Sequence, residues 1–228
     1  MHKFLWPVVL LLAGCAIPPR EEAPPAAPVA APAEKLVAPG EPWAVTSSQL
    51  DVRVYRDGAM QKLGHNHVIT TAALTGTIQM REPVAASNFE LSLPLESLVV
   101  DDDAARARAG ADFSAPVPEK DREGTRRNML GDKLLNAALQ PELRLASESV
   151  SGEAGQYEAK VRVSIAGSEH VVTAPFTVAI DGDNLEAKGT FHLTHEDVGL
   201  VPFTVALGVL KVRDDFEVDL TLEARRGS

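Results

Sequence analysis

The chain has 228 residues, 45% of them hydrophobic and 24% charged, which suffices for one ordinary globular domain plus appendages. Its net charge of -10, with no basic stripe, excludes a phosphate-backbone partner, which needs clustered Lys and Arg. One cysteine, Cys15, excludes an internal disulfide and a Cys-rich metal site.

A short polar start, His2-Lys3, precedes an apolar run from Phe4 to Ala13. A bilayer span takes about 20 residues, so this run has the shape of a signal-peptide core and not of a membrane anchor. Leu12-Ala13-Gly14-Cys15 follows, and it resembles the bacterial lipobox, in which the cysteine is lipidated, palmitate being a usual chain, and becomes the first mature residue. Residues 1–14 are therefore expected to be a signal peptide and Cys15 a membrane anchor. Ala16 in place of an acidic residue points to an outer-membrane address facing the periplasm. Residues 15–42 form the lipidated Cys and a Pro/Ala-rich linker, extended and unable to pack. At roughly 3.1 Å per residue it would reach about 80 Å.

Residues 43–228 are expected to fold as one domain, since from Trp43 onward the dominant period is two, the mark of half-buried strands. Leu50, Val52 and Val54 alternate with Asp51, Arg53 and Tyr55, and Phe89, Leu91, Leu93 and Leu95 with Glu90, Ser92 and Pro94. The same rhythm runs through Tyr157–Ile165, Leu185–Leu193 and Phe216–Leu222. Val68–Met80, Leu143–Val150 and Val171–Ile180 bring the expected total to about eight strands. Turns at Ala166-Gly167 and Asp181-Gly182-Asp183-Asn184 join neighbours as hairpins. One polar and one apolar face per strand give an all-β antiparallel fold. A closed barrel and a sandwich share this alternation, so pattern alone leaves both open.

Between Val100 and Pro141 the rhythm stops. Asp101-Asp102-Asp103 and an Ala/Arg alternation read as a charged loop, and Leu130, Leu134, Ala137 and Ala138 recur at helical spacing. A short helix is expected at about Asn128–Leu139, covering one barrel end or packing beside it.

His65 and His67, two apart, would share one side of a strand. Three roles stay open for them: two ligands of a metal or redox site, contacts to the polar head of a bound molecule, or structural hydrogen bonds. A metal would need a third ligand, for which His170, His195, Asp132 and Asp197 are candidates. Catalysis has little support. Gly-x-Ser-x-Gly, a phosphate-cradling Gly-rich loop and His-Glu-x-x-His are all missing, and His195-Glu196-Asp197 reads as a turn before Gly199.

Three stretches in order resemble the YceI-like family. They are Met129–Ser147 (MLGDKLLNAALQPELRLAS), Val161–Val178 with Ala166-Gly167 and Pro175-Phe176-Thr177-Val178, and Gly189–Asp215 with Asp197-Val198-Gly199-Leu200-Val201-Pro202. Gly64-His65-Asn66-His67-Val68-Ile69 and Gly76 match a version common in lipoprotein members. The resemblance covers about Trp43 to Arg225. It implies an eight-stranded antiparallel lipocalin-like barrel with a short helix in one long connection, and a lipophilic ligand such as a polyisoprenoid or quinone. His65 and His67 would then lie near the mouth, with Phe191, Leu193 and Phe203 as apolar contacts. A lumen packed solid with side chains is the alternative.

Overall fold

The computed structural model describes residues 40–205 and 209–227. Cys15, the apolar leader and the linker up to position 39 lie outside the described residues. Strand β1 (Glu41–Asp57) takes in the last two residues assigned to the linker, Glu41 and Pro42. It is followed by β2 (His67–Thr71), β3 (Thr75–Met80), β4 (Asn88–Pro94) and β5 (Val99–Val100). After two helices come β6 (Glu142–Glu153), β7 (Gln156–Ile165), β8 (Ser168–Asp181), β9 (Asn184–Thr194), β10 (Thr204–Val205) and β11 (Leu210–Arg226).

The order β1-β3-β4-β6-β7-β8-β9-β11 runs antiparallel and returns on itself, because β11 pairs β1 from Trp43↔Arg226 to Asp57↔Lys211. That pairing decides for an eight-stranded closed barrel over a sandwich. The β1–β11 seam carries an outward ladder. Arg53 pairs with Glu217 at 2.8 Å and with Asp219 at 2.5 Å, and the Tyr55 hydroxyl donates to Glu217 at 2.7 Å. Burial, and then the Glu217 carboxylate, push the Tyr55 phenol up to about 12.

The segment Val68–Met80, expected as one strand, is two. β3 pairs the first part of β1 (Trp43↔Ile78) and β2 its second part (Val52↔Ile69), with a break at Ala72–Leu74. Ser48 compensates for the interrupted ladder: its hydroxyl accepts the Leu74 N–H at 3.1 Å and donates to the Leu74 carbonyl at 3.2 Å. β5 extends the bend of β4 by pairing β2 at Ile69↔Val100. Gly76, opposite Leu91, has φ +144, and a Cβ there would run into the Glu90 carbonyl, so only glycine lets β3 and β4 approach so closely.

Two helices occupy the long connection. Helix α1 (Asp103–Ala109) starts where the Asp102 carboxylate accepts the Ala105 N–H at 3.0 Å. It packs outside the barrel, where Ala105, Phe113 and the outward Val68 form a small second core. Helix α2 (Glu119–Leu130) lies across one barrel end. The helix expected at Asn128–Leu139 is thus displaced: α2 ends at Leu130, and Gly131 takes extended backbone. Residues 131–140 are successive turns, with the Leu134 and Asn136 N–H groups both donating to the Gly131 carbonyl. The periodic apolar residues of this stretch mark one-sided burial against the core and not helix. Over most of α2 the side chains are polar, so its signals are Glu119 and Asp121 in the first turn and Arg127 in the last.

Candidate functional site

The alternation now has a destination. Leu50, Val52 and Val54 of β1, Phe191 and Leu193 of β9, and Val218, Leu220 and Leu222 of β11 all face the lumen. They do not fill it. A cavity of about 540 Å³ runs along the barrel, within the range of about 300–1,000 Å³ typical of pockets for one small molecule. Small side chains leave this room: Ala159, Ala174, Ala187 and Gly189 stand at inward positions where larger ones would meet across the axis. At the end where β1 begins, Trp43, Leu185, Leu222 and Ala224 are buried and packed.

Polar groups gather at the opposite end, where β1 finishes and β2 starts. Arg56, His65, His67, Thr125 and Asn128 line the cavity there, together with Phe203 and Leu210. His65 precedes β2 and His67 opens it, so their shared side comes from the loop and not from one strand. Their rings stand 6.1 Å apart, edge to face. All five sequence-derived ligand contacts, His65, His67, Phe191, Leu193 and Phe203, lie on the cavity wall.

Behind His67 is a buried ion network. Its Nδ1 lies 2.6 Å from Asp101 Oδ2, while Asp101 Oδ1 accepts the Val68 N–H at 3.0 Å and the Arg106 guanidinium at 2.5 Å. Arg106 also donates to the carbonyls of Asn66 and Ala115. Burial acts to raise the Asp101 pKa, but hydrogen bonding and charge from His67, the Val68 N–H and Arg106 outweigh it and hold the carboxyl below its ordinary value. An ionised Asp101 can only accept, so Nδ1 of His67 carries the proton it donates. The other nitrogen, Nε2, lies 3.5 Å from the Thr125 hydroxyl of α2. This network fixes the His67 ring at the mouth and links β2, the end of the loop before β2, α1 and the segment after α1.

The metal reading finds no third ligand: among the described residues no group of three His, Cys, Asp or Glu side chains is placed to hold an ion. The four candidates are scattered. His195 lines the lumen with Nδ1 2.6 Å from the Asp214 carbonyl, and Asp197 accepts the N–H and hydroxyl of Thr194. His170 pairs with Ser168 at 3.0 Å, and Asp132 is exposed. His195-Glu196-Asp197 forms the expected turn, a short 3-10 helix over Glu196–Val198.

Sequence reasoning passed over Asp101, Arg106, Thr125, Asn128 and Arg56. Three acidic residues before an Ala-rich run carry a helix-start signature, and Arg56 continues the inward parity of Leu50, Val52 and Val54.

Residues 43–224 match the YceI-like domain. The chain belongs to the YceI-like family. Its fold also matches BcnA of Burkholderia cenocepacia, with a TM-score of 0.55 and 12% identity over 77% of this chain and 95% of that one. The YceI protein of Campylobacter jejuni gives a TM-score of 0.51 at 10% identity, over 70% of this chain and 85% of that one. A cysteine mutant of that protein with a monobromobimane guest gives 0.52 at 10% identity, with the same coverage of 70% and 85%. At these identities the likeness shows the fold. No curated protein matches the chain. YceI-like barrels are a family that binds hydrophobic small molecules.

Proposed function

We propose that this YceI-like protein is an envelope lipoprotein, tethered through Cys15, whose barrel binds or carries a lipophilic amphiphile such as a polyisoprenoid or quinone. The observation that carries the reading is the cavity: an apolar wall along its length and polar side chains concentrated at one end. Such a wall suits a chain-like tail, and such an end suits a head group. A tail burying about ten CH₂ equivalents gains on the order of 8 kcal/mol. After the cost of immobilising the ligand, about micromolar affinity is the expectation.

The chain carrying Cys15→Ser, purified from a bacterial periplasm without added ligand, tests the carrier reading by native mass spectrometry. An adduct of lipid size that leaves on denaturation is the expected result, and bare protein even after incubation with a polyprenyl quinone or polyprenyl phosphate argues against it. The tether is tested separately. Wild-type chain is expected in the membrane fraction with incorporated labelled palmitate, and Cys15→Ser in the soluble periplasmic fraction without label, since several acyl chains on one residue make a stable anchor. Wild-type protein that takes up no label would remove the anchor. Ala16 supports an outer-membrane address facing the periplasm, which density separation of the two membranes would check.

A further inference from the structure

We infer that the head group received at the cavity mouth is anionic and that Arg56 is the side chain that selects it, an inference that rests on the carrier reading above. The first observation is a reversal of charge. The chain has 32 Asp and Glu against 22 Lys and Arg, yet none of the described residues lining the cavity is acidic. The basic residues there are three histidines, two lysines and Arg56.

The second observation separates Arg56 from the other cations. Lys188 is neutralised by Glu186 at 2.6 Å and Lys211 by Asp57 at 3.0 Å. Arg53, three residues earlier on β1 and of the opposite parity, points outward to Glu217 and Asp219. Arg56 has no carboxylate partner among the described residues; its Nη1 donates to the Gly64 carbonyl at 2.7 Å, in the loop that carries His65. A guanidinium offers five N–H donors in a planar fork, so four remain for a ligand, in a geometry that matches a carboxylate or a phosphate.

An amphiphile with its tail among the lumen leucines and valines has one place to put its head, and that place carries an unneutralised guanidinium at the boundary between water and an apolar wall. Charge attraction is stronger there than in bulk water, and an ion-paired hydrogen bond is stronger than a neutral one. Fatty carboxylates and alkyl or prenyl phosphates share this head-group chemistry. Alcohols and quinones do not.

The test compares palmitate, hexadecyl phosphate, hexadecanol and a polyprenyl quinone as competitors of a fluorescent apolar dye on delipidated, full-length protein at neutral pH. Wild type is expected to bind at least one of the two acids about tenfold or more tighter than hexadecanol and the quinone. In Arg56→Gln that preference should vanish because the acids lose more affinity than hexadecanol does, and Arg56→Lys should retain part of it. Which acid binds tighter distinguishes a fatty acid from a phospholipid-like source. Hexadecanol or the quinone binding as tightly as both acids would overturn the inference, and so would an Arg56→Gln protein that keeps the preference. Failure of all four to displace the dye would overturn the carrier reading itself.

Discussion

Replacing Asp101 by alanine is expected to lower the free energy of unfolding by about 3–5 kcal/mol, the cost of leaving a buried ion-pair partner uncompensated. Asp101 is 0% exposed and Arg106 7%, so after truncation the guanidinium stays in the interior with only the carbonyls of Asn66 and Ala115 for company. The Val68 N–H and the His67 Nδ1–H lose their acceptors as well. A second cause adds to the first. Asp101 has φ 56, a left-handed conformation that Asp and Asn adopt more readily than alanine. Asp101→Asn keeps the shape and the backbone tolerance while removing the charge, so a loss smaller than that of Asp101→Ala but still above about 1 kcal/mol isolates the electrostatic part. Urea unfolding at two pH values separates charge from shape. The folded Asp101 carboxyl lies below its ordinary value, so its contribution is present above the unfolded carboxylate pKa of about 3.9 and is lost as pH falls through the lower folded value. The gap between wild type and Asp101→Asn should therefore be widest near neutrality and shrink in acid. Equal gaps at both pH values would mean that the cluster contributes by shape alone.

That cluster also shows where a single sequence stops being informative. Asp101-Asp102-Asp103 reads as a solvated acidic run, because charge runs usually are. Here the three have separate tasks: Asp101 is buried against His67 and Arg106, Asp102 caps α1, and Asp103 pairs with Arg122 on α2. The partners of the first are 34 positions upstream and 5 downstream, and no local pattern reports a contact at such a distance. The helix was misplaced for a related reason. Apolar spacing reports which side of a segment is buried, and the turns after Gly131 bury Leu134, Leu135 and Ala137 as effectively as a helix would.

Strand faces were legible because alternation is a property of the strand itself. Leu185, Ala187, Gly189, Phe191 and Leu193 all face the lumen, as period two requires. Closure was carried by the family resemblance and not by the pattern, since it depends on β1 meeting β11 at the far end of the chain. The head-group end was half legible. The histidine pair stands out by composition, whereas Arg56 looks like any surface arginine until its position at the mouth and its lack of a described carboxylate partner are known.

Leu193→Trp is expected to reduce amphiphile binding about a thousandfold while leaving the barrel folded. Leu193 lies on β9 opposite Phe216, points into the cavity and sits near its polar end. An indole there grows into open space and not into packed neighbours, so the overpacking cost that accompanies such changes in a filled core should be small. What it removes is tail room. Excluding about five methylenes forfeits about 4 kcal/mol, which corresponds to about a thousandfold in affinity. The adjacent position supplies the control, because His192 is exposed on the opposite face of the same strand. His192→Trp should bind like wild type, although it introduces the same side chain one residue away. Dye displacement by palmitate, with thermal unfolding measured on each protein, separates the outcomes. A folded Leu193→Trp protein that binds as wild type would place the ligand outside the lumen. Equal losses in both variants would mean that the tryptophan, and not the blocked cavity, is responsible.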